Sequence, residues 1–151
     1  MRKSVGRLMA IFIAVFGLVV TGTGTAQAAT PDGAAQSACG SGYYIQRKAT
    51  IGWGASVTAY LLYNSSSRNN CAVTVKHSDM GWVYGTATGL GAGIQAEGGS
   101  MKKDQGDYKY YAGPVYLNAP GKCVRFWAYF EEYGASLPHD ILYTSPYGNC
   151  G

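Results

Sequence analysis

The sequence predicts an all-β chain, folded as a single antiparallel β-sandwich or barrel-like domain of about seven or eight short strands. Three observations predict it. Short segments rich in Tyr, Thr and Val alternate in the period-two pattern of half-buried strands. Clusters of Gly, Pro, Asn and Ser separate these segments. No segment shows a 3.6-residue apolar repeat.

The N-terminus comes first and reads as a processing segment. Arg2, Lys3 and Arg7 precede an apolar run, Leu8 to Val20, and small residues follow at Ala26 and Ala28. This is the pattern of a secretory signal over residues 1–28 with an A-x-A cleavage site. The run is shorter than the about 20 residues a membrane span needs. Cleavage removes three of the 12 basic residues, leaving 9 against 8 acids and a net charge of +1. No basic patch for nucleic acid is visible in what is left, and no membrane segment is expected after cleavage. Residues 29–38 (ATPDGAAQSA) are small and polar and read as a flexible N-terminal tail. Residues 39–151 then form the expected β domain.

Within that domain, YYIQRKATI and SVTAYLLYN read as the first two strands, NSSSRNN as a polar turn and CAVTVKH as the third strand. GWVYGTATG reads as a weak fourth strand diluted by glycine. GLGAGIQAEGGS reads as a loop or irregular edge. DYKYYA, GPVYLN, CVRFWAYFEEY and HDILYT are the later strands. Pro120 and Gly121 suit the centre of a type II turn. A hairpin about that turn pairs Leu117 with Val124 and Val115 with Phe126. One face then carries Val115, Leu117, Val124, Phe126, Ala128 and Phe130. The other carries Tyr116, Arg125, Trp127 and Tyr129, the candidate binding surface. Pro114, which cannot donate to a ladder, belongs at a strand start or an edge.

Four cysteines, Cys39, Cys71, Cys123 and Cys150, follow the signal segment. An even number in an exported chain implies two disulfides, with three possible pairings. Two stretches, AYLLYNSSSRNNCAVTV and GPVYLNAPGKCVRFWAY, both run strand, turn, cysteine, strand. That echo favours local pairing, Cys39 with Cys71 and Cys123 with Cys150. Each link would close a loop of about 30 residues and stabilise the fold by roughly 3–4 kcal/mol.

Little of the sequence points to catalysis. No C-x-x-C spacing exists, and only His77 and His139 could complete a metal set, so no metal or cofactor is expected. Glu131 and Glu132 are neighbours on a strand and point to opposite faces, so they cannot flank one glycosidic bond; they read as a solvated strand end. His77-Ser78-Asp79 and His139-Asp140 lack a positioned serine elbow. Asp104-Gln105-Gly106-Asp107 lacks the acid spacing of a calcium loop and reads as a turn. Asn64-Ser65-Ser66 fits a glycosylation sequon, and turn chemistry explains it equally well. The excess is aromatic: 13 Tyr and 3 Trp. Rings exposed on strands can stack on sugars or pack on proteins.

ACGSGYYIQ, the stretch YYAGPVYLNAPGKCV and the terminal NCG resemble the spore-associated protein A family of small secreted proteins from streptomycetes and their relatives. The resemblance implies a signal-bearing protein recovered with spores or the cell exterior, with no established catalytic residues. The expectation is therefore a secreted, non-enzymatic protein, extracellular or associated with the spore surface. Its expected partners are a cell-wall or spore-coat glycan or protein. The alternatives are a cell-wall glycan-binding module and an inhibitor of a secreted enzyme, with NSSSRNN as the inhibitory loop.

Overall fold

A computed structural model describes residues 30–54, 56–133 and 138–150. The signal segment lies outside the described residues. One helix and eight strands are present among those described: α1 (Pro31–Cys39), β1 (Tyr44–Ile51), β2 (Val57–Asn64), β3 (Asn69–Lys76), β4 (Thr88–Ala96), β5 (Lys102–Tyr108), β6 (Tyr111–Asn118), β7 (Val124–Tyr133) and β8 (Pro138–Thr144). They form two four-stranded antiparallel sheets, ordered β1-β2-β3-β6 and β5-β4-β7-β8. The sheets face each other as a sandwich and do not close into a barrel. No helix among the described residues is long and apolar enough to cross a membrane.

The core lies between the sheets. Ala59, Leu61 and Ala72 of the first sheet meet Ile94, Phe126 and Ala128 of the second. Towards one end, Val57 packs with Leu90, Ala92, Phe130 and Val83, the last from the β3–β4 connection. The other face of the first sheet is covered too. Ala35 and Cys39 of α1 lie on Tyr60, Leu62, Cys71, Val73 and Val75. β2 and β3 are thus buried on both faces, and the even side of β3 (Ala72, Thr74, Lys76) is the side turned to the inter-sheet core.

The helix replaces the expected tail. Thr30 caps it by accepting from the Gly33 N–H at 3.2 Å, Pro31 opens its first turn and Asp32 sits at its positive end. A nine-residue helix is too short to hold alone; burial of Ala35 and the Cys39–Cys71 disulfide fix it to the sheet. The second disulfide joins Cys123 to Cys150, and no described cysteine is free. The locally paired connectivity is therefore the one present.

Three strand assignments differ from the expectation. The weak strand GWVYGTATG is a series of turns up to Thr86, with Val83 N–H on Met80 O and Thr86 N–H on Val83 O. The supposed glycine loop is β4, flanked by strands on both sides. Its alternation is Gly-Leu-Gly-Ala-Gly-Ile: Leu90, Ala92 and Ile94 enter the core, and Gly91 and Gly93 face outwards. DYKYYA is divided, because β5 ends at Tyr108 and β6 begins at Tyr111.

The expected hairpin about Pro120 and Gly121 is a crossover between sheets. Leu117 pairs with Asn70 of β3, and Val124 pairs with Ala96 of β4. The turn forms where expected, with Gly121 at φ 68°. The strands beyond it part because each finds its ladder partner in a different sheet. Val115 and Leu117 still pack in the same core as Val124 and Phe126, across the layer instead of side by side. β6 is an edge strand, which accommodates Pro114.

Candidate functional site: an aromatic loop end and the sheet face beside it

Antiparallel alternation sends three described connections, β1–β2, β3–β4 and β5–β6, to one end of the sandwich. All three carry exposed rings: Trp53 on β1–β2, Trp82 and Tyr84 on β3–β4, and Tyr110 on β5–β6, with Tyr111 at the start of β6. Trp53 is 83% exposed. Tyr84 and Tyr110 meet edge to face with centroids 4.9 Å apart.

Buried polar groups hold these loops together. Lys76 is almost wholly buried, and its ammonium donates to Thr86 O (2.8 Å), Thr88 Oγ1 (2.6 Å) and Tyr108 O (2.6 Å). One cation thus ties the base of the β3–β4 connection to the base of β5–β6. Burial pushes its pKa down to about 8, and the three oxygen acceptors favour the charged form at neutral pH. Glu132 is also buried, so it is no solvated strand end; its carboxylate accepts from the Trp53 N–H at 2.5 Å. Ser56 Oγ donates to Trp53 O, and the Gly85 N–H to Lys109 O. The side chain of Trp53 projects outwards from a backbone bonded on both its polar groups.

Beside this end lies the outer face of the second sheet. β7 presents Arg125, Trp127 and Tyr129 there, opposite Gln95, Gly93 and Gly91 of β4, and then Glu131, whose Oε2 accepts from the Gly89 N–H at 3.2 Å. The Trp127 and Tyr129 rings are parallel within 6°, with centroids 6.4 Å apart. The glycines make room for them: a Cβ on Gly91 would come within 2.8 Å of the Trp127 ring. Lys103 Nζ sits 3.8 Å over Trp127, which is consequently buried. Tyr129 donates to Asp140 Oδ1 at 2.9 Å, and Arg125 donates to Gln95 Oε1 and lies over the Tyr147 ring. A depression of about 380 Å³ opens next to Tyr129, lined by Gln105, Asp107 and Glu131.

Of the four residues expected to share one surface, Arg125, Trp127 and Tyr129 do so. Tyr116 does not. It lies on the outer side of the first sheet, beside α1, where its hydroxyl donates to Cys39 O at 2.9 Å and its ring contacts Tyr43. The crossover separates them: strands assigned to different sheets turn their outer faces in opposite directions.

Of the other residues weighed in the sequence, His77, Asn64, Glu131 and Asp104 have structural partners, and His139 has none among the described residues. His77 Nε2 lies 2.7 Å from Thr58 Oγ1, and His139 is exposed on β8. Asp104 lies within β5, not in a turn, and accepts from Tyr108 and from the Gly113 N–H. Asn64 Oδ1 accepts from the Ser66 and Ser67 N–H groups, an Asx turn that shapes NSSSRNN into a tight β2–β3 connection. Among the described residues, no three His, Cys, Asp or Glu side chains converge in a metal-binding group.

The exposed rings of the loop end were missed because turn segments carry no period from which to read a face. The Gly-Trp-Gly of IGWGAS was the available signal, a bulky ring between two flexible residues in a connection.

Fold and covalent links together define the class: a disulfide-bonded, eight-stranded β-sandwich. No family model matches the chain, and no solved structure matches it. Over 139 residues it is 39% identical to Spore-associated protein A of Streptomyces coelicolor, covering 89% of this chain and 79% of the relative. The chain belongs to the spore-associated protein A family.

Proposed function

We propose that this chain is an exported, non-enzymatic protein of the spore or cell exterior that attaches to a sugar polymer of the wall or coat through its aromatic loop end. One observation carries the reading. Of nine large apolar side chains exposed among the described residues, five gather at this one end, and all five are Tyr or Trp: Trp53, Trp82, Tyr84, Tyr110 and Tyr111. A protein partner or a lipid surface is met by aliphatic side chains as well as rings. A surface that exposes rings almost alone suits the flat apolar faces of sugars, with the Tyr and Trp polar atoms reaching hydroxyls.

The relative's name supports association with spores. Two disulfides and the N-terminal signal pattern support export into an oxidising compartment. The engagement of His77, Asp104 and Glu132 in structural hydrogen bonds supports a role without chemistry. The test is co-sedimentation of the secreted chain with purified cell walls and spore coats, with soluble wall oligosaccharide as competitor. Retention that the oligosaccharide abolishes is expected. Retention indifferent to the sugar, or confined to a protein in the preparation, would refute the sugar reading.

A further inference from the structure

Two tyrosines of the loop end meet across two connections while both stay open to solvent. Tyr84, on β3–β4, is 39% exposed, and Tyr110, on β5–β6, is 48% exposed. Their backbones hold them there. The Tyr84 N–H donates to Met80 O, the Gly85 N–H to Lys109 O and the Lys76 N–H to Tyr110 O, each at 2.9 Å. The edge-to-face contact at 4.9 Å is thus set by the loops that carry the rings. Gly85 leaves room beside it: Tyr110 Cε1, a carbon ortho to the hydroxyl, would lie 3.9 Å from a Cβ at that position. With no side chain there, the ortho carbon stands over bare backbone next to Tyr84.

The state of the hydroxyls sets this pair apart. Neither Tyr84 nor Tyr110 gives its hydroxyl to another described residue, so each phenolic proton is open to release into water. Tyr116, which contacts Tyr43, gives its hydroxyl to Cys39 O. Tyr60 and Tyr108 give theirs to Asp32 and Asp104. Tyr44 and Tyr63 stand on strands already joined by a ladder, with ring centroids 6.0 Å apart. No described cysteine is free, so no thiol is present among these residues to be oxidised first.

We propose that Tyr84 and Tyr110 are a site of oxidative cross-linking, joined ortho carbon to ortho carbon as dityrosine when the chain meets hydrogen peroxide and a haem peroxidase. Each phenol loses one electron and one proton and becomes a phenoxyl radical. The two radicals combine through one new C–C bond. Each ring then loses its ortho hydrogen as a proton and regains one on oxygen, which restores the phenol. The pair gives up two hydrogen atoms in all, and the peroxide takes the two electrons and two protons and leaves as two waters. The bond would tie β3–β4 to β5–β6 at the end where no disulfide lies among the described residues. Like a disulfide, it would restrict the unfolded chain. No sugar takes part, so the cross-link and the wall attachment stand or fall separately.

The test is exposure of the secreted chain to a haem peroxidase with limiting hydrogen peroxide, read by dityrosine fluorescence, intact mass and mapping of the linked peptides. The expected product is a monomer lighter by two hydrogen atoms, with Tyr84 and Tyr110 in one linked peptide pair. Tyr84→Phe and Tyr110→Phe should each abolish that product. Both should melt with the native chain, because the hydroxyls they remove hold no described residue in place. Tyr44→Phe should couple as the native chain does. A monomeric link that persists in either of the first two variants, a link mapped to another pair, coupling only between molecules, or oxygen added to Met80 without coupling would each overturn the proposal.

Discussion

The two ends of the sandwich are built by different means. At one end the chain is covalently tied: Cys39–Cys71 anchors the helix to β3, and Cys123–Cys150 joins the crossover to the C-terminus. The other end has no disulfide among the described residues. Buried ionisable groups, Lys76 and Glu132, collect its loops through hydrogen bonds, and Val83 and Phe130 pack beneath them. The tied end restricts the unfolded chain. The hydrogen-bonded end depends on the completed fold, because its acceptors come together only when both sheets are in place. Exposed rings concentrate where order rests on burial.

The largest effect that sharpens this contrast is loss of a covalent tie. Removing Cys123–Cys150 by replacing both cysteines with Ala should lower stability by about 3–4 kcal/mol in urea unfolding, as expected for the loop it closes. Hydrogen exchange should quicken at the C-terminal segment and leave the Lys76 cluster protected. Uniform loss of protection would mean that the two ends are not separately held.

Next comes Lys76→Met. It fills similar volume but leaves Thr86 O, Thr88 Oγ1 and Tyr108 O without their donor. A cost of about 2–3 kcal/mol is expected, with faster exchange in the β3–β4 and β5–β6 connections. The lysine also gives a pH signature. Its folded pKa is lowered to about 8, against 10.5 for the free side chain. Between those values the unfolded chain binds the proton that the folded chain has released, so this group makes stability rise with pH. Tyr60, whose pKa burial and Asp32 raise, acts in the opposite direction above pH 10. Urea midpoints from pH 7 to 10 should show the rise in the native chain and lose it in Lys76→Met.

A smaller effect is expected on the sheet face. Gly91→Ala drives a methyl group towards the Trp127 ring, and about 1–3 kcal/mol of overpacking cost should follow. A neutral result by thermal melting would mean that the parallel Trp127–Tyr129 pair is not seated on the glycines.

These cases also show which parts of the molecule were legible in the sequence. The sandwich was, because period two and turn chemistry are local. The disulfide pairing was as well, although one of the two hairpins that suggested it is a crossover. What could not be read was partner choice. Leu117 and Val124 alternate correctly, but nothing within their own strands says whether they pair side by side or face each other across the core. β4 was misread because glycine signals loops, whereas here it makes space for Trp127. The helix was missed because its nine residues, PDGAAQSAC, carry little apolar period; their order comes from a cap and a disulfide. At the candidate site, Arg125, Trp127 and Tyr129 were found by alternation. Trp53 and Trp82 were not, because a loop's exposure depends on what packs beneath it.

The smallest expected change in stability accompanies the largest expected change in binding. Replacing Trp53 and Trp82 together with Ala removes two exposed rings and leaves the Trp53 N–H on Glu132. Surface changes of this kind stay within about 0.5 kcal/mol, so the melting temperature should hardly move. Co-sedimentation with purified wall and coat polymer should fall to background, while Trp127→Ala, at a ring already covered by Lys103, should retain most of it. A double variant that sediments like the native chain, or one that loses binding only because it unfolds, would contradict the assignment of the aromatic loop end as the contact surface.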